Sequence, residues 1–296
     1  MNILLTAANS FIGSNLGAHL HNEGHSIAGT VRKDRYSSFE PPWLGRSFIL
    51  DLAEPRKADL SMFDAVNVVV HLAHDFRRDM TASNIESTEF LAETAARAGV
   101  ERQIYFSSYS ARPDAVSEYG TVKHRLERYF LERGQIIVRP GLVIGNGGMF
   151  LKFLNAVRKY PVIPLIDGGK GEVPVISIRQ VCEIIGAIIS SPSRGTEFNL
   201  FYPEMISMRA LTEIMKSVAG SKALLAPVPL GMVLFAAGFC NLLGLKLSFD
   251  VGSARSFKKN QQRIHESNIA CFLDNCESVL DAVRAAFLAG DLKIIR

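Results

Sequence analysis

The stretch Ile3-Leu4-Leu5-Thr6-Ala7-Ala8-Asn9-Ser10-Phe11-Ile12-Gly13 decides the fold. Its apolar start reads as a strand over 3–6. It then passes through a turn of small residues into a helix expected over 13–24, where Ile12, Leu16 and Leu20 recur at helical spacing and Asn22-Glu23-Gly24 supplies a stop. Working outward, strands are expected over 27–31, 46–50, 66–72, 103–106 and 136–138, with helices over 81–99 and 119–133 between them. The run from Val66 to Leu72 is rich in β-branched residues without alternation, as in a strand buried on both faces. Short apolar runs alternating with amphipathic stretches build an α/β doubly wound parallel sheet, covered by helices on both sides.

The pattern changes after Gly145-Asn146-Gly147-Gly148. Helices are expected near 149–159 and 179–190, and short strands near 173–178 and 196–201. The expected division is a first domain over 1–148, with contributions from about 173–200, and a smaller C-terminal lobe over 149–296. Residues 223–245 carry no charge. Pro227 and Pro229 leave about 15 helical residues there, roughly 22 Å against a hydrocarbon core of about 30 Å, too short to span a membrane comfortably. A helix buried in the lobe is the favoured reading. The alternative is peripheral contact, with the segment near 230–245 in an anionic interface flanked by Lys246, Arg255, Lys258, Lys259 and Arg263.

With 296 residues, 48% of them apolar, the chain can close a large core, which excludes disordered and collagen-like classes. The net charge of +4 on 21% charged residues comes without a block of like charges, so a nucleic-acid partner is not expected. Cys182, Cys240, Cys271 and Cys276 form no paired pattern and suggest neither a metal site nor a disulfide framework. Met1-Asn2 leads into the first strand without a basic, cleavable leader, so a cytoplasmic location is expected.

Tyr119-Gly120-Thr121-Val122-Lys123 holds the most specific chemical signal. Side chains at i and i+4 share a helix face, so the Lys123 ammonium can favour a Tyr119 phenolate. Bringing a tyrosine from about 10 to about 7 requires roughly 4 kcal/mol of differential stabilisation, toward which a nearby cation contributes. Tyr119 is thus a candidate acid–base group.

These segments together resemble the extended short-chain dehydrogenase/reductase family, the NAD(P)-dependent nucleotide-sugar epimerases and dehydratases. Thr6 to Gly13 is similar to the family's T-G-x-x-G-x-x-G, with Ala7 and Ser10 in place of two glycines. His71-Leu72-Ala73-His74 resembles H-L-A-A, and Asn84-Ile85-Glu86-Ser87-Thr88 is similar to N-x-x-G-T. Phe106-Ser107-Ser108 resembles the strand that presents a catalytic serine. Arg139-Pro140-Gly141-Leu142-Val143-Ile144-Gly145 resembles R-P-G-x-V-Y-G. The likeness covers roughly residues 1–200.

The resemblance implies a Rossmann fold with a substrate-binding C-terminal lobe, and a catalytic set of Ser108, Tyr119 and Lys123, with Ser107 as the substitute for Ser108. It implies cofactor contacts from Ala7, Ser10, Phe11, Ile12, Gly13, Asp51, Leu52, Leu72, Ala73, Tyr119, Lys123, Pro140 and Val143. Ser108 would also bind substrate. His74, where the family has a small residue, would touch substrate or nicotinamide, or else serve as a structural histidine. NAD-preferring relatives end strand two with an acid that binds the ribose hydroxyls. Here Val31 is followed by Arg32, Lys33 and Arg35, which suits a 2′-phosphate and hence NADP, with NAD as the alternative. The implied activity is that of an oxidoreductase or epimerase acting on a hydroxyl or keto group of a nucleotide sugar, with the oligomeric state left open between a single chain and a homodimer. The rival reading is a dinucleotide-sensing regulator without turnover, which the Tyr119/Lys123 pair opposes.

Overall fold

The computed structural model describes residues 1–77, 79–232 and 251–294. The strands in chain order are β1 (Asn2–Leu5), β2 (Ser26–Val31), β3 (Leu44–Ile49), β4 (Val68–His71), β5 (Arg102–Phe106), β6 (Ile136–Pro140), β7 (Leu142–Ile144), β8 (Val162–Ile166), β9 (Glu172–Val173), β10 (Val175–Ser177), β11 (Glu197–Leu200), β12 (Ile206–Ser207) and β13 (Leu224–Val228). Between them run α1 (Phe11–Asn22), α2 (Thr81–Arg97), α3 (Glu118–Leu131), α4 (Gly148–Lys159), α5 (Ile178–Ser190) and α6 (Met208–Ala219). Two later helices span Val251–Asn260 and Val279–Ile294. The chain divides into two compact units.

The first unit comprises residues 1–111, 122–139 and 178–198. Its sheet has the order β11-β6-β5-β4-β1-β2-β3. Strands β1 to β6 pair in parallel. Beside β6, the Ile137 N–H donates to Thr196 C=O and the Gly141 N–H to Leu200 C=O, so β11 runs parallel as well. Strand order reverses between β1 and β4, the switch point where doubly wound sheets open a ligand crevice. Leu4 and Val69 pack with Leu91 and Ala95 of α2 on one face. On that face too, Val122, Leu126 and Phe130, spaced by four along α3, pack on Tyr105 and Ile137. Ile3, Leu5, Val68 and Val70, which point the other way, are buried as completely. Helices α1 and α5 pack against each other.

The second unit holds residues 112–121, 140–177 and 199–296. Within it β7 pairs with β10 and β8 with β13, both in parallel, while β9 and β12 pair antiparallel. Helix α6 packs on α4 and on the helix Val279–Ile294. The Ser207 hydroxyl caps the start of α6, accepting from the Ala210 N–H at 3.1 Å, and Gly220 at φ 62° ends it.

Several boundaries depart from the sequence expectation for local reasons. Helix α1 begins at Phe11 rather than 13, because the Ser10 Oγ accepts the Gly13 N–H at 3.0 Å and so acts as its N-cap. Strand β4 is shorter than 66–72: the N–H groups of Leu72 and Ala73 leave the ladder and donate to Thr6 Oγ1 at 2.8 and 2.9 Å. Strand β6 runs on to Pro140. The charge-free segment enters as strand β13 over Leu224–Val228, and the helix expected near 230–245 falls mostly outside the described residues. Among the described residues, no helix is long and apolar enough to cross a membrane.

Candidate functional site

The turn between β1 and α1 is fixed from several sides. The Ala7 N–H donates to Thr30 Oγ1 at 3.1 Å, the Ala8 N–H to Thr30 C=O at 2.8 Å, and the Ser10 N–H to Ala7 C=O at 2.9 Å. Ala7 adopts φ 55°, the left-handed region that glycine occupies without strain. Gly13 cannot be replaced so readily: a Cβ there would lie 2.4 Å from Ala7 O and 3.0 Å from both Ala8 Cα and Ala8 O. Of the two glycine substitutions, then, one is absorbed as strained backbone and the other as a helix cap, and the remaining glycine sits where helix and turn touch. The sequence reading missed Gly29 on β2. A Cβ there would fall 2.4 Å from the Ala8 Cβ, and an isolated glycine inside a strand is the signal for such a close approach.

Beside this turn, within the first unit, lies a cavity of about 760 Å³. It brings together seven of the expected residues: Ala7, Ser10, Arg32, Asp51, Leu52, Ala73 and His74. Phe11, Ile12, Gly13 and Leu72 are not among its lining residues, and Gly13 and Leu72 instead hold the wall in place. The cavity also takes in Asn9, Phe39, Asp75, Phe76 and Arg77, which the sequence reading did not single out. Asp75-Phe76-Arg77 follows β4 at the switch point, and that position was the available signal.

The charges at the cavity are ordered rather than loose. Buried Asn84 clamps the backbone of Asp75: its Oδ1 accepts the Asp75 N–H and its Nδ2 donates to the Asp75 C=O, both at 2.8 Å. The Asp75 carboxylate in turn holds Arg77, accepting from its Nε at 2.8 Å and its Nη2 at 2.5 Å. The Arg77 hydrogen bonds hold the Asp75 carboxyl below its ordinary range, with the Arg32 charge adding to the effect. Arg77 Nη2 also lies 3.9 Å from Asp51 Oδ1, and Arg32 Nε 3.5 Å from Asp34 Oδ1.

Deeper in the same unit, Lys123 is 3% exposed. Its Nζ donates to the Phe106 C=O at 2.7 Å and lies 4.7 Å from the centre of the Tyr105 ring. Burial lowers its pKa to about 7, against the opposing charge of Glu127 one turn on. Glu127 is itself held by Arg139, through Nε at 2.6 Å and Nη2 at 2.7 Å, and Arg139 also pairs with Glu197. The arginine of the R-P-G stretch thus joins α3, β6 and β11. His71 Nε2 donates to Gln103 Oε1 at 2.8 Å, an amide orientation set by Gln103 Nε2 donating to Ala92 C=O. Burial takes His71 down to about 4. Burial and then the Lys123 charge take His74 down to about 3, and its ring meets Phe76 edge-on at 4.7 Å. Ser108 Oγ accepts the Ser110 N–H at 3.2 Å, whereas the buried Ser107 Oγ has no hydrogen-bond partner among the described residues.

Tyr119, Pro140 and Val143 belong to the second unit. Tyr119 stands in the first turn of α3, half-buried, one helical turn before Lys123 on the same helix face. The Ser117 Oγ accepts the Gly120 N–H at 3.2 Å at the start of that helix. Pro140 ends β6, and Val143 pairs with Ile176 across β7 and β10. Between Pro140 and Val143, a Cβ on Gly141 would fall 2.4 Å from Pro174 O.

These residues fit a dinucleotide. The turn at a helix N-terminus, held against α1 by a glycine that a Cβ would displace, suits a pyrophosphate. The carboxylate and cation at the ends of β3 and β2 suit an adenosine. The chain is 25% identical over 275 residues to the uncharacterised protein y4nG of Sinorhizobium fredii, covering 82% of this chain and 66% of that relative, just under two thirds of its length. Its fold matches a nucleoside-diphosphate-sugar epimerase from Staphylococcus aureus, with TM-score 0.75 and 18% identity over 96% of this chain and 100% of that one. It also matches the triphenylmethane reductase of a Citrobacter species in complex with NADP(H), with TM-score 0.73 and 17% identity over 97% and 100%. At such identities the two structures speak for the fold alone. The sequence pattern of the NAD dependent epimerase/dehydratase family matches residues 3–201, more than half of the chain. With its seven-stranded parallel sheet and its crevice at the switch point, the chain belongs to the NAD-dependent epimerase/dehydratase family, whose cofactor is a nicotinamide dinucleotide.

Proposed function

We propose that the protein is an NADP-preferring oxidoreductase or epimerase of the cytoplasm, acting on a hydroxyl or keto group of a nucleotide sugar. The first unit would hold the dinucleotide, and the second would choose the substrate. The bound nicotinamide supplies the hydride acceptor and donor. Everything else falls to this chain's own side chains. Tyr119 takes the proton of the reacting hydroxyl as its carbon gives up hydride, leaving a ketone, and returns the proton when hydride comes back. Return to the opposite face makes an epimerase, whereas release of the ketone makes a dehydrogenase. Ser108 Oγ hydrogen-bonds the same substrate oxygen, with Ser107 as the substitute, and His74, neutral at working pH, offers an imidazole to the sugar.

One observation carries this reading. Lys123 is buried with its proton held near neutrality, one turn after Tyr119 and bonded to the carbonyl that immediately precedes Ser107-Ser108. Keeping an ammonium out of water is expensive, and a site for proton transfer accounts for the placement. A regulator without turnover has no use for it. The test is Tyr119→Phe, assayed over a panel of nucleotide sugars by nicotinamide absorbance for net oxidation or reduction and by chromatography of the sugar product for epimerisation, which leaves the absorbance unchanged. Turnover is expected to fall by at least about two orders of magnitude while dinucleotide affinity stays within about twofold. Turnover retained in the variant would remove Tyr119 from the mechanism.

A further inference from the structure

The second unit carries a surface with chemistry of its own. Where α4 ends, the chain runs Arg158-Lys159-Tyr160-Pro161-Val162 into β8, and beside it Lys222-Ala223-Leu224 enters β13. The two segments are locked together. Leu224 lies in register with Val162, the Leu224 N–H donates to Pro161 C=O at 2.8 Å, and the Ser221 Oγ donates to Val157 C=O at 2.6 Å. On this fixed platform Tyr160 is 52%, Val162 46% and Leu224 70% exposed. The eight residues hold three cations and no carboxylate. Neither Lys159 nor Lys222 forms an ion pair among the described residues, and Lys159 instead leans over the Tyr160 ring, 5.5 Å from its centre. Leu224 also lies at the start of the run, 223–245, that holds no charge in the sequence.

A solvated surface gains nothing from three neighbouring large apolar side chains. An aromatic ring and aliphatic side chains ringed by lysine and arginine match a bilayer interface, where the apolar groups enter the acyl boundary and the cations meet lipid phosphates. We infer that the edge formed by Tyr160, Val162 and Leu224, with Arg158, Lys159 and Lys222, docks the protein reversibly on an anionic membrane surface. The contact is peripheral, and it does not depend on which reaction the enzyme catalyses.

The test uses the full chain and sedimentation with vesicles of phosphatidylcholine, with and without phosphatidylglycerol. Three cations worth about fivefold each give a preference for the anionic vesicles on the order of a hundredfold at low salt, lost at high salt. The double variant Val162→Glu/Leu224→Glu should reduce partitioning by at least about tenfold. Lys159→Gln/Lys222→Gln, which leaves the apolar groups in place, should flatten the salt dependence and provides the answer if the first variant misfolds. Circular dichroism and dinucleotide titration monitor folding. Absence of sedimentation in every condition overturns the inference. So does binding that both variants leave intact, or a vesicle-independent dimer that Leu224→Glu dissolves.

Discussion

Replacing Gly13 by alanine tests the architecture of the cofactor turn. The new Cβ would sit 2.4 Å from Ala7 O, where ordinary contact begins near 3.4 Å, so helix and turn must separate by about 1 Å. The opposing atoms cannot swing aside. They are backbone, with the Ala7 N–H bonded to Thr30 Oγ1 and the Ala7 C=O accepting from Ser10. Overpacking of this kind costs about 1–3 kcal/mol, here toward the upper end, and the better helix propensity of alanine returns about 1 kcal/mol. The net loss is about 2 kcal/mol, read as a thermal midpoint lowered by roughly 3–6 °C. Because Ala7 lines the cavity, a shift of the turn moves its backbone N–H groups, and dinucleotide affinity should fall with it. Losing one hydrogen bond to a charged pyrophosphate, about 1.5 kcal/mol, weakens binding about tenfold. Calorimetry and fluorescence titration of the same preparation measure both. A variant with the parent's midpoint and affinity would show that α1 does not lie against the turn as described, and the argument for the cradle would fail with it.

Three further outcomes are expected. Ser10→Ala removes the N-cap of α1 and should destabilise by about 1 kcal/mol in urea titrations, whereas Ser10→Gly should lose only a few tenths. Arg32→Ala should weaken NADP by roughly 10- to 150-fold and leave NAD nearly unchanged, as read by parallel titrations; equal losses would refute a 2′-phosphate role. His71 links stability to acid: its folded value of about 4 lies below the ordinary 6.5, so the unfolded chain takes up the proton first as pH falls. The stability is complete above pH 6.5 and is lost between 6.5 and about 4, by about 3 kcal/mol in total, and urea titrations of His71→Gln should show a flatter pH dependence across that window.

Much of this molecule is written in local sequence. The parallel sheet could be read because Val68, Val69 and Val70 form a β-branched run between turn signals, and α3 because Val122, Leu126 and Phe130 repeat every four residues. Those patterns are properties of single segments, which is why their ends were misplaced by only a residue or two and why the family's motifs could be found in order. The cofactor side was partly legible for the same reason, since the turn, the end of β2 and the end of β3 are each short and contiguous. What sequence could not decide was which groups meet across elements. The clamp of Asn84 on Asp75, the fixing of Arg77 beside Asp51 and the burial of Lys123 against the Phe106 carbonyl each join residues of different elements, and the overlap awaiting any Cβ at Gly13, though it involves near neighbours in the chain, is set by how α1 packs on the turn. Their strength depends on distance and on exclusion of water, and both arise only when the sheet has brought its strand ends together.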